Sequence, residues 1–172
     1  MDDNYKIRKF REEDLEKVVL INRLCLPENY SSSFFLDLHK NYPEIFIVAE
    51  HNNEVVGYVM GRVEVGFSDF HKFKIARKGH IVSIAVLPEH RMKGIGTALM
   101  LQALKNMVLH YNCQETYLEV RVSNEKAINL YKKLGYKEVR RIPLYYLDGE
   151  DASVMSQELK LEEIQKQTLN HQ

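Results

Sequence analysis

The sequence has few cysteines and no long apolar run, and both shortages narrow the classes of protein that it can encode. Its two cysteines, Cys25 and Cys113, have neither metal-site nor redox-motif spacing, which argues against a disulfide framework and favours a reducing compartment. No apolar run approaches the ~20 residues of a membrane-spanning helix. Residues 1–10 are charged where a signal peptide would have an apolar core. We therefore expect a cytoplasmic protein with no membrane partner.

The chain also lacks an excess of charge of either sign. Its 24 Lys and Arg residues balance its 24 Asp and Glu residues, which argues against a nucleic acid as the main partner but leaves local basic patches open. No repeat, low-complexity tract or linker divides the 172 residues, a length that suits one domain with its own core. We expect a single domain over residues 1–159 and a polar tail, 160–172, that is a frayed helix or disordered.

Hydrophobic periodicity predicts the alternating strands and helices of an α/β protein. The predicted strands cover residues 5–10, 45–50, 55–65, 80–87, 116–122, 136–142 and 152–159. The predicted helices cover residues 12–26, 31–40, 97–110 and 124–134. A hairpin signal at 45–65 indicates antiparallel pairing in the first half, and the strand–helix–strand order at 80–122 indicates a parallel crossover. Residues 66–79 are expected to form an irregular insertion.

The most informative stretch covers residues 80–100, where a strand, a basic glycine turn and a helix follow one another. Unpaired N–H groups and the helix dipole favour an anion at such a turn, and Gly94 and Gly96 let the backbone approach a phosphate. The turn lacks the Lys-Ser/Thr ending of a P-loop, and Leu99 stands where a dinucleotide fingerprint needs its third glycine. The alternative is a tight strand-to-helix connection without a ligand.

A charged pair lies on one face of the predicted strand 116–122. Glu119 and Arg121 share that face, whereas the alternate residues on the other face are apolar. A carboxylate in a central strand needs a partner, which leaves two alternatives. One is an ion pair with Arg121 or an exposed face; the other is His80 on a neighbouring strand, which with Glu119 would relay a proton through water. His80 and Glu119 would also suit an adventitious divalent ion, although no metal is required.

Four segments together resemble a known family. The segment Arg91-Met92-Lys93-Gly94-Ile95-Gly96 is similar to the Arg/Gln-x-x-Gly-x-Gly/Ala signature of the GNAT acetyltransferases. Residues 26–30, 123–131 and 145–152 resemble the catalytic subunit of the NatA-type N-terminal acetyltransferases. The resemblance is greatest to the archaeal members, which work without the large auxiliary subunit, and it spans about residues 5–159.

This resemblance implies a GNAT fold, in which a mostly antiparallel twisted sheet has splayed fourth and fifth strands and about four helices. It implies acetyl-CoA as cosubstrate and the α-amino group of a polypeptide N-terminus as acceptor, acetylated by direct attack through a tetrahedral intermediate. The expected first residues are Ser, Ala and Thr, with Met and acidic residues as further candidates. No auxiliary subunit is expected to be required, and the ribosome is left open as a partner.

The resemblance also implies which residues hold acetyl-CoA. Those assigned to the pyrophosphate are Arg91, Met92, Lys93, Gly94, Ile95, Gly96 and Thr97. Those assigned to pantetheine are Ile84, Ala85 and Val86, with an N–H near Val86 for the thioester carbonyl and its oxyanion. The further cofactor residues are Asn124, Tyr131, Lys132 and Lys133. The alternatives are solvated surface charge for Arg91 and Lys93, a helix N-cap for Asn124, and ordinary strand packing for residues 84–86.

Catalytic roles are implied for four residues. Tyr131 is the candidate general acid that protonates the departing thiolate, and a ring buried in the core is the alternative. The base is left open between Glu28 and the pair of His80 and Glu119. The residues implied to bind the acceptor are Leu26, Pro27, Glu28, Tyr30, Arg121, Tyr145 and Tyr146. Tyr146 is expected to face Glu28 across the peptide; loop capping and hydrophobic cover are the alternatives.

The sequence leaves two other functions open. The same fold could acetylate a protein lysine or a small amine, although residues 26–30 and 145–146 argue against it. The chain could instead be a non-catalytic CoA-binding or ribosome-docking module, with the basic, Phe-rich residues 66–79 as its docking surface. The nearly complete catalytic set argues against this second alternative.

Overall fold

Seven strands form one mixed sheet in the computed structural model, which describes residues 4–171. The strands are β1 (Tyr5–Lys9), β2 (Ile47–His51), β3 (Glu54–Phe67), β4 (Ile75–Val86), β5 (Glu115–Arg121), β6 (Lys137–Ile142) and β7 (Ala152–Glu158). The helices are α1 (Leu15–Cys25), α2 (Ser32–Asn41), α3 (Ile95–Tyr111), α4 (Glu125–Lys133) and α5 (Leu161–Asn170). The strand order is β1-β2-β3-β4-β5-β7-β6, and each of these neighbouring pairs is antiparallel except β4 with β5. The predicted α/β class and the parallel crossover through α3 are therefore confirmed.

Helices cover both faces of this sheet. Two adjacent residues of β3 show this, since successive residues of a strand point to opposite sides. Tyr58 reaches Asn22 of α1, whereas a side chain at the adjacent Gly57 would point at Leu99 of α3. Helices α1 and α3 thus lie on opposite faces. Helix α3 begins at Ile95, two residues before the predicted start, and its burial on most sides is confirmed.

The expected irregular insertion at 66–79 is largely wrong. Strand β3 continues to Phe67 and β4 begins at Ile75, so the two form a long hairpin with Phe67 opposite Ile75. Gly79 is typical of a turn in the sequence but lies within β4. A Cβ at this position would collide with the Met107 side chain, so the glycine permits close packing of α3 on the strand. Lys78, which reads as exposed charge, is buried in an ion pair with Asp69.

The splay that the resemblance implied is present, and β4 also carries a bulge. Strands β4 and β5 pair only where residues 78–80 meet residues 115–117, and beyond His80 no strand pairs with that edge of β4 among the described residues. Opposite β3, Met60 faces Ser83 and the next residue, Gly61, faces Ile81, which leaves Val82 as the extra residue of a bulge. The edge of β4 over residues 81–86 is therefore open towards β5.

Of the two alternatives for the tail, the helix is observed, and it raises the helix count from the four expected to five. Helix α5 packs against α3 and buries Ile164. Its apolar residues are few, which is why periodicity did not reveal it. Within residues 4–171, no helix combines the length and apolar character that a membrane crossing requires.

Candidate active site

The glycine turn presents a row of free backbone donors. After a short 3₁₀ turn over Pro88–His90, Met92 and Gly94 adopt left-handed conformations with φ of 60° and 81°. The first backbone bond of α3 is donated by Ala98 to the Gly94 carbonyl. Among residues 4–171, no acceptor pairs with the N–H groups of residues 92–97, so the turn has the free donors that a phosphate requires, and its binding stays a prediction.

Basic side chains surround this turn without occupying it. Arg91 Nε donates to the Val86 carbonyl at 2.8 Å and so ties the turn to the end of β4. Lys93 Nζ lies 3.4 Å from the Tyr5 hydroxyl, which also bonds His90 Nδ1 at 2.9 Å. Arg91 and Lys93 are exposed, as the surface-charge alternative has it, so their contact with a cofactor stays a prediction.

Helix α4 supplies the remaining residues implied for the cofactor. Asn124 caps this helix by accepting the Ala127 N–H at 3.2 Å, so the N-cap reading is observed and its cofactor contact stays a prediction. Lys132 and Lys133 are exposed at the end of α4.

The strand assigned to pantetheine turns donors towards the open edge. Leu87 donates its N–H to the Val56 carbonyl on β3 at 2.9 Å. Since hydrogen-bonding direction alternates along a strand, the Val86 N–H points the other way, into the space between β4 and β5. Ile84 and Val86 are half-buried and Ala85 is buried. This geometry suits an extended amide chain laid along β4.

Tyr131 lies in the core with a proton that it holds tightly. It is buried, and its ring meets the edge of Tyr136 at a centroid distance of 5.9 Å. Burial raises the pKa of Tyr131 to about 12, so the phenol is neutral at physiological pH. Within residues 4–171 no group hydrogen-bonds its hydroxyl, so no neighbouring acceptor competes for that proton.

His80 and Glu119 contact each other directly. His80 Nε2 lies 2.7 Å from Glu119 Oε2, and the imidazole stacks on the Tyr117 ring at 4.3 Å. The two side chains are therefore in direct contact, and their relay of a proton through water stays a prediction. His80 Nδ1 is buried without a hydrogen-bond partner among the described residues. The alternative of a Glu119–Arg121 ion pair is wrong, because Arg121 pairs elsewhere.

Three residues for which the sequence predicted no role complete this cluster: Glu64, Arg62 and Tyr117. Glu64 lies 3.6 Å from His80 Nδ1, accepts the Tyr117 hydroxyl, and pairs with Arg62 Nε at 2.8 Å. Burial alone would raise the pKa of Glu64, but the bond from Tyr117 and the charges of His80 and Arg62 hold it below its ordinary value. The alternation of Arg62 and Glu64 with Val63 could have signalled that they share a face.

Arg121 organises the mouth of the site. Its guanidinium contacts Glu28 at 2.7 Å, Asp148 at 2.8 Å and Glu150 at 3.2 Å, and it stacks on Tyr146 at 4.1 Å. Desolvation opposes the charge, but the three carboxylates raise the pKa of Arg121 above its ordinary value. Tyr146 thus reaches Glu28 through this side chain. Asp148 and Glu150 belong to a segment that carried the resemblance, yet they were not singled out.

Two further residues implied for the acceptor, Tyr30 and Tyr145, lie near Glu28 and Glu119. Tyr30 stacks on Phe34 at 4.8 Å, and its hydroxyl donates to the Val82 carbonyl, at the bulge of β4, at 3.5 Å. Tyr145 meets the edge of Tyr146 at 4.9 Å. Leu26 is half-buried and Pro27 is exposed. Their contact with a peptide stays a prediction.

These parts define a class of protein. A turn with free backbone donors stands at one end of an open strand edge, and a histidine–carboxylate pair stands near the other. A long phosphorylated acyl carrier fits along that edge, with its thioester delivered to an amine that the pair can deprotonate. The fold and the site together are those of an acyl-CoA-dependent N-acyltransferase.

Comparison with known proteins gives the family. Residues 15–136 match the model of the acetyltransferase (GNAT) family, and the chain belongs to that family. It is therefore an acetyltransferase whose acetyl donor is acetyl-CoA, and the predicted resemblance is confirmed.

Its relatives are proteins that modify N-termini. The chain is 54% identical over 153 residues to an N-alpha-acetyltransferase of Sulfurisphaera tokodaii, covering 88% of this chain and 92% of that one. It is 40% identical to the N-terminal acetyltransferase A complex catalytic subunit NAA10 of Arabidopsis thaliana, covering 90% and 78%. It is also similar to Chaetomium thermophilum Naa20 in complex with a bisubstrate analogue, with a TM-score of 0.78 and 33% identity, covering 91% and 88%.

Proposed function

We propose that the protein transfers acetyl from acetyl-CoA to the α-amino group of polypeptide N-termini. The observation that carries the proposal is the direct contact of His80 with Glu119, 2.7 Å long, beside the open edge of β4. The names of the relatives, N-alpha-acetyltransferase and NAA10 among them, support the same acceptor. The proposed base therefore lies on β4, the same strand that is assigned to the cofactor.

The chemistry needs a base because an α-ammonium group has a pKa of ~8 and cannot attack until it loses a proton. That proton passes to the pair of His80 and Glu119, and the free amine attacks the thioester carbonyl. The Val86 N–H stabilises the oxyanion of the tetrahedral intermediate. The attacking nitrogen loses its second proton to solvent, and the C–S bond then breaks while the C–N bond remains. Tyr131 protonates the departing thiolate and regains a proton from water.

The pair is a better candidate base than Glu28. The carboxylate of Glu28 is held by the Arg121 guanidinium at 2.7 Å, whereas Glu119 contacts His80 at 2.7 Å and, among the described residues, pairs with no Lys or Arg side chain. Glu28 with Tyr30 and Tyr146 instead holds the first residues of the peptide. The proposed first residues are Ser, Ala and Thr exposed after removal of Met, with Met and acidic residues as further acceptors.

The protein is proposed to act alone, in the cytoplasm. This proposal rests on the resemblance to archaeal members; the Arabidopsis relative is by name the subunit of a complex. A second role, docking to a ribosome, is favoured by the tip of the β3–β4 hairpin. Phe67, Phe73 and Ile75 are exposed there beside Lys72 and Lys74.

A peptide panel tests the proposed reaction. Peptides beginning with Ser, Ala, Thr, Met or Glu, each with one internal Lys, are incubated with acetyl-CoA and the protein alone, and fragment masses locate the acetyl group. We expect acetylation of the α-amine, fastest on Ser-starting peptides. The matched control carries a blocked α-amine and should stay unmodified. Acetylation confined to lysine would overturn the proposal.

A further inference from the structure

The loop that presents Glu28 is fastened by one buried side chain. Asn22 of α1 is fully buried; its Nδ2 donates to the Glu28 carbonyl at 3.1 Å and its Oδ1 accepts the Tyr30 N–H at 3.3 Å. Among residues 4–171, the backbone groups of residues 27–30 make no other hydrogen bond. The loop therefore depends on Asn22 for its backbone geometry.

The same carboxamide connects the loop to the strand that holds the cofactor. Asn22 Nδ2 also donates to the Tyr58 hydroxyl at 3.1 Å, and that hydroxyl lies 2.8 Å from Ser83 Oγ on β4. Ser83 immediately precedes Ile84, the first residue assigned to pantetheine. A chain of three polar side chains thus crosses the core from α1 through β3 to β4.

A polar chain in this position is costly unless every member is paired. Tyr58 is fully buried against Phe35, at a centroid distance of 6.1 Å, and Ser83 is buried. Both Nδ2 hydrogens and the Oδ1 of Asn22 are used, so the network is fully connected at its centre. Such networks fix one geometry, because any displacement leaves a buried polar group without a partner.

We propose that Asn22 is a positioning residue for the acceptor peptide, acting through Glu28 and Tyr30, with Tyr58 and Ser83 orienting it from the cofactor strand. The inference rests on the proposed function, since it assumes that Glu28 and Tyr30 hold the peptide. Arg121 fixes the carboxylate of Glu28 and Asn22 fixes its backbone, so loss of Asn22 releases one anchor and leaves the other.

Steady-state kinetics on the full chain test this role. Asn22→Ala should lower kcat/KM for a Ser-starting peptide about 10- to 100-fold, mainly through KM, because two loop hydrogen bonds are lost. Tyr58→Phe, which removes one hydroxyl, should lower it about 3- to 10-fold. In both variants the Kd for acetyl-CoA should stay within about twofold of wild type. Tyr58→Phe decides the matter if Asn22→Ala fails to fold.

The matched control is Asn106→Ala in α3. Asn106 is also buried and also donates to a backbone carbonyl, that of Glu44 at 2.8 Å, but far along the chain from the acceptor loop. It should lower Tm without raising the peptide KM. The proposal is overturned if folded Asn22→Ala keeps the wild-type peptide KM, or if the control raises that KM equally.

A double-mutant cycle and hydrogen exchange separate this inference from the proposed function. Glu28→Gln should add less to the loss in the Asn22→Ala background than in wild type, because the two changes act on one loop. Exchange of the Tyr30 amide should accelerate in Asn22→Ala whether or not peptides are acetylated. A wild type inactive on α-amines would sink the proposed function, and unchanged exchange would sink the role of Asn22.

Discussion

The two ends of the site differ in the groups that form them: backbone N–H groups at the cofactor end and side chains at the acceptor end. At the cofactor end, residues 91–97 are contiguous in the chain, and backbone N–H groups present the binding surface. At the acceptor end, side chains from β3, β4, β5 and two loops pair with one another. Backbone donors need only local conformation, whereas a side-chain cluster needs the whole sheet in register.

The two ends also differ in charge. Arg91 and Lys93 flank the turn, while three carboxylates surround the Arg121 guanidinium at the mouth. A chain without net charge thus separates its charges by function. The positive end suits the phosphates of the donor, and the negative end suits the ammonium group of the acceptor.

The largest effect is expected from a substitution that removes the proposed base at the acceptor end. His80→Ala should lower kcat about 100- to 1000-fold near pH 6.5, where most of the α-amine is protonated, and less near pH 9, where the amine is largely free. A pH–rate profile from pH 6 to 9 measures this trend. A wild-type-to-variant ratio that is flat with pH would exclude the relay.

Removing the acid should be almost as damaging, because it leaves the thiolate without its proton donor. Tyr131→Phe should lower kcat about 10- to 1000-fold while acetyl-CoA still binds. Tyr136→Phe is the matched control, since its hydroxyl is also buried but pairs with Thr116 at 3.1 Å. Equal rates for wild type and Tyr131→Phe would remove this residue from the mechanism.

A smaller effect, on stability, is expected from loss of the Asp69 carboxylate, which holds a network of polar side chains together. Asp69 accepts Lys78 at 2.9 Å, Ser156 at 2.7 Å and Arg140 at 3.1 Å, and so fastens the hairpin tip. Asp69→Asn should lower the free energy of unfolding at pH 7 by about 1–3 kcal/mol, because the buried ammonium group loses its partner. Denaturant titration measures it, with the exposed Asp37→Asn as control.

The same carboxylate predicts a direction with pH. Burial alone would raise the pKa of Asp69, but bonds from Lys78 and Ser156 and the charges of Lys78 and Arg140 hold it below 3.8. A lowered folded-state pKa stabilises the fold above the unfolded value and loses that contribution as pH falls through the folded one. Wild type should therefore lose stability more steeply than Asp69→Asn below about pH 4. Parallel curves would contradict this.

The smallest effect is expected from a substitution that strains only the backbone of the turn at the cofactor end. Gly94 has φ of 81° and open space around its Cα, so Ala there meets no atom but must adopt a left-handed conformation. Gly94→Ala should raise the Kd for acetyl-CoA about 3- to 10-fold without changing the peptide KM. Gly66→Ala is the control, because its site is equally open and its φ is not positive. Equal effects at both positions would argue against a specific turn geometry.

What the sequence could predict follows the same division. The turn and the parallel crossover were predictable, because a glycine motif and strand periodicity are local signals, whereas the splay of β4 from β5 was implied only by the family resemblance. His80 and Glu119 were placed together correctly because their strands flank one helix. The direct bond between them was not, since no pattern measures a distance.

The misses have physical causes. Gly79 reads as a turn residue but serves close packing against Met107, and Lys78 reads as surface charge but lies buried with Asp69. Glu64 lies 55 residues before Glu119, so only the sheet register brings both to His80. Asn22 sits within a predicted helix, where no sequence signal distinguishes a buried asparagine from an exposed one.

The separability of the two ends is tested most directly by Glu119→Gln, with binding and turnover measured on one preparation. Calorimetry gives the Kd for acetyl-CoA, and a Ser-starting peptide gives kcat; Glu163→Gln, remote and exposed on α5, is the control. We expect a Kd within about twofold of wild type and a kcat about 100-fold lower or more. A parallel loss of binding and turnover, or an unchanged kcat, would contradict the account.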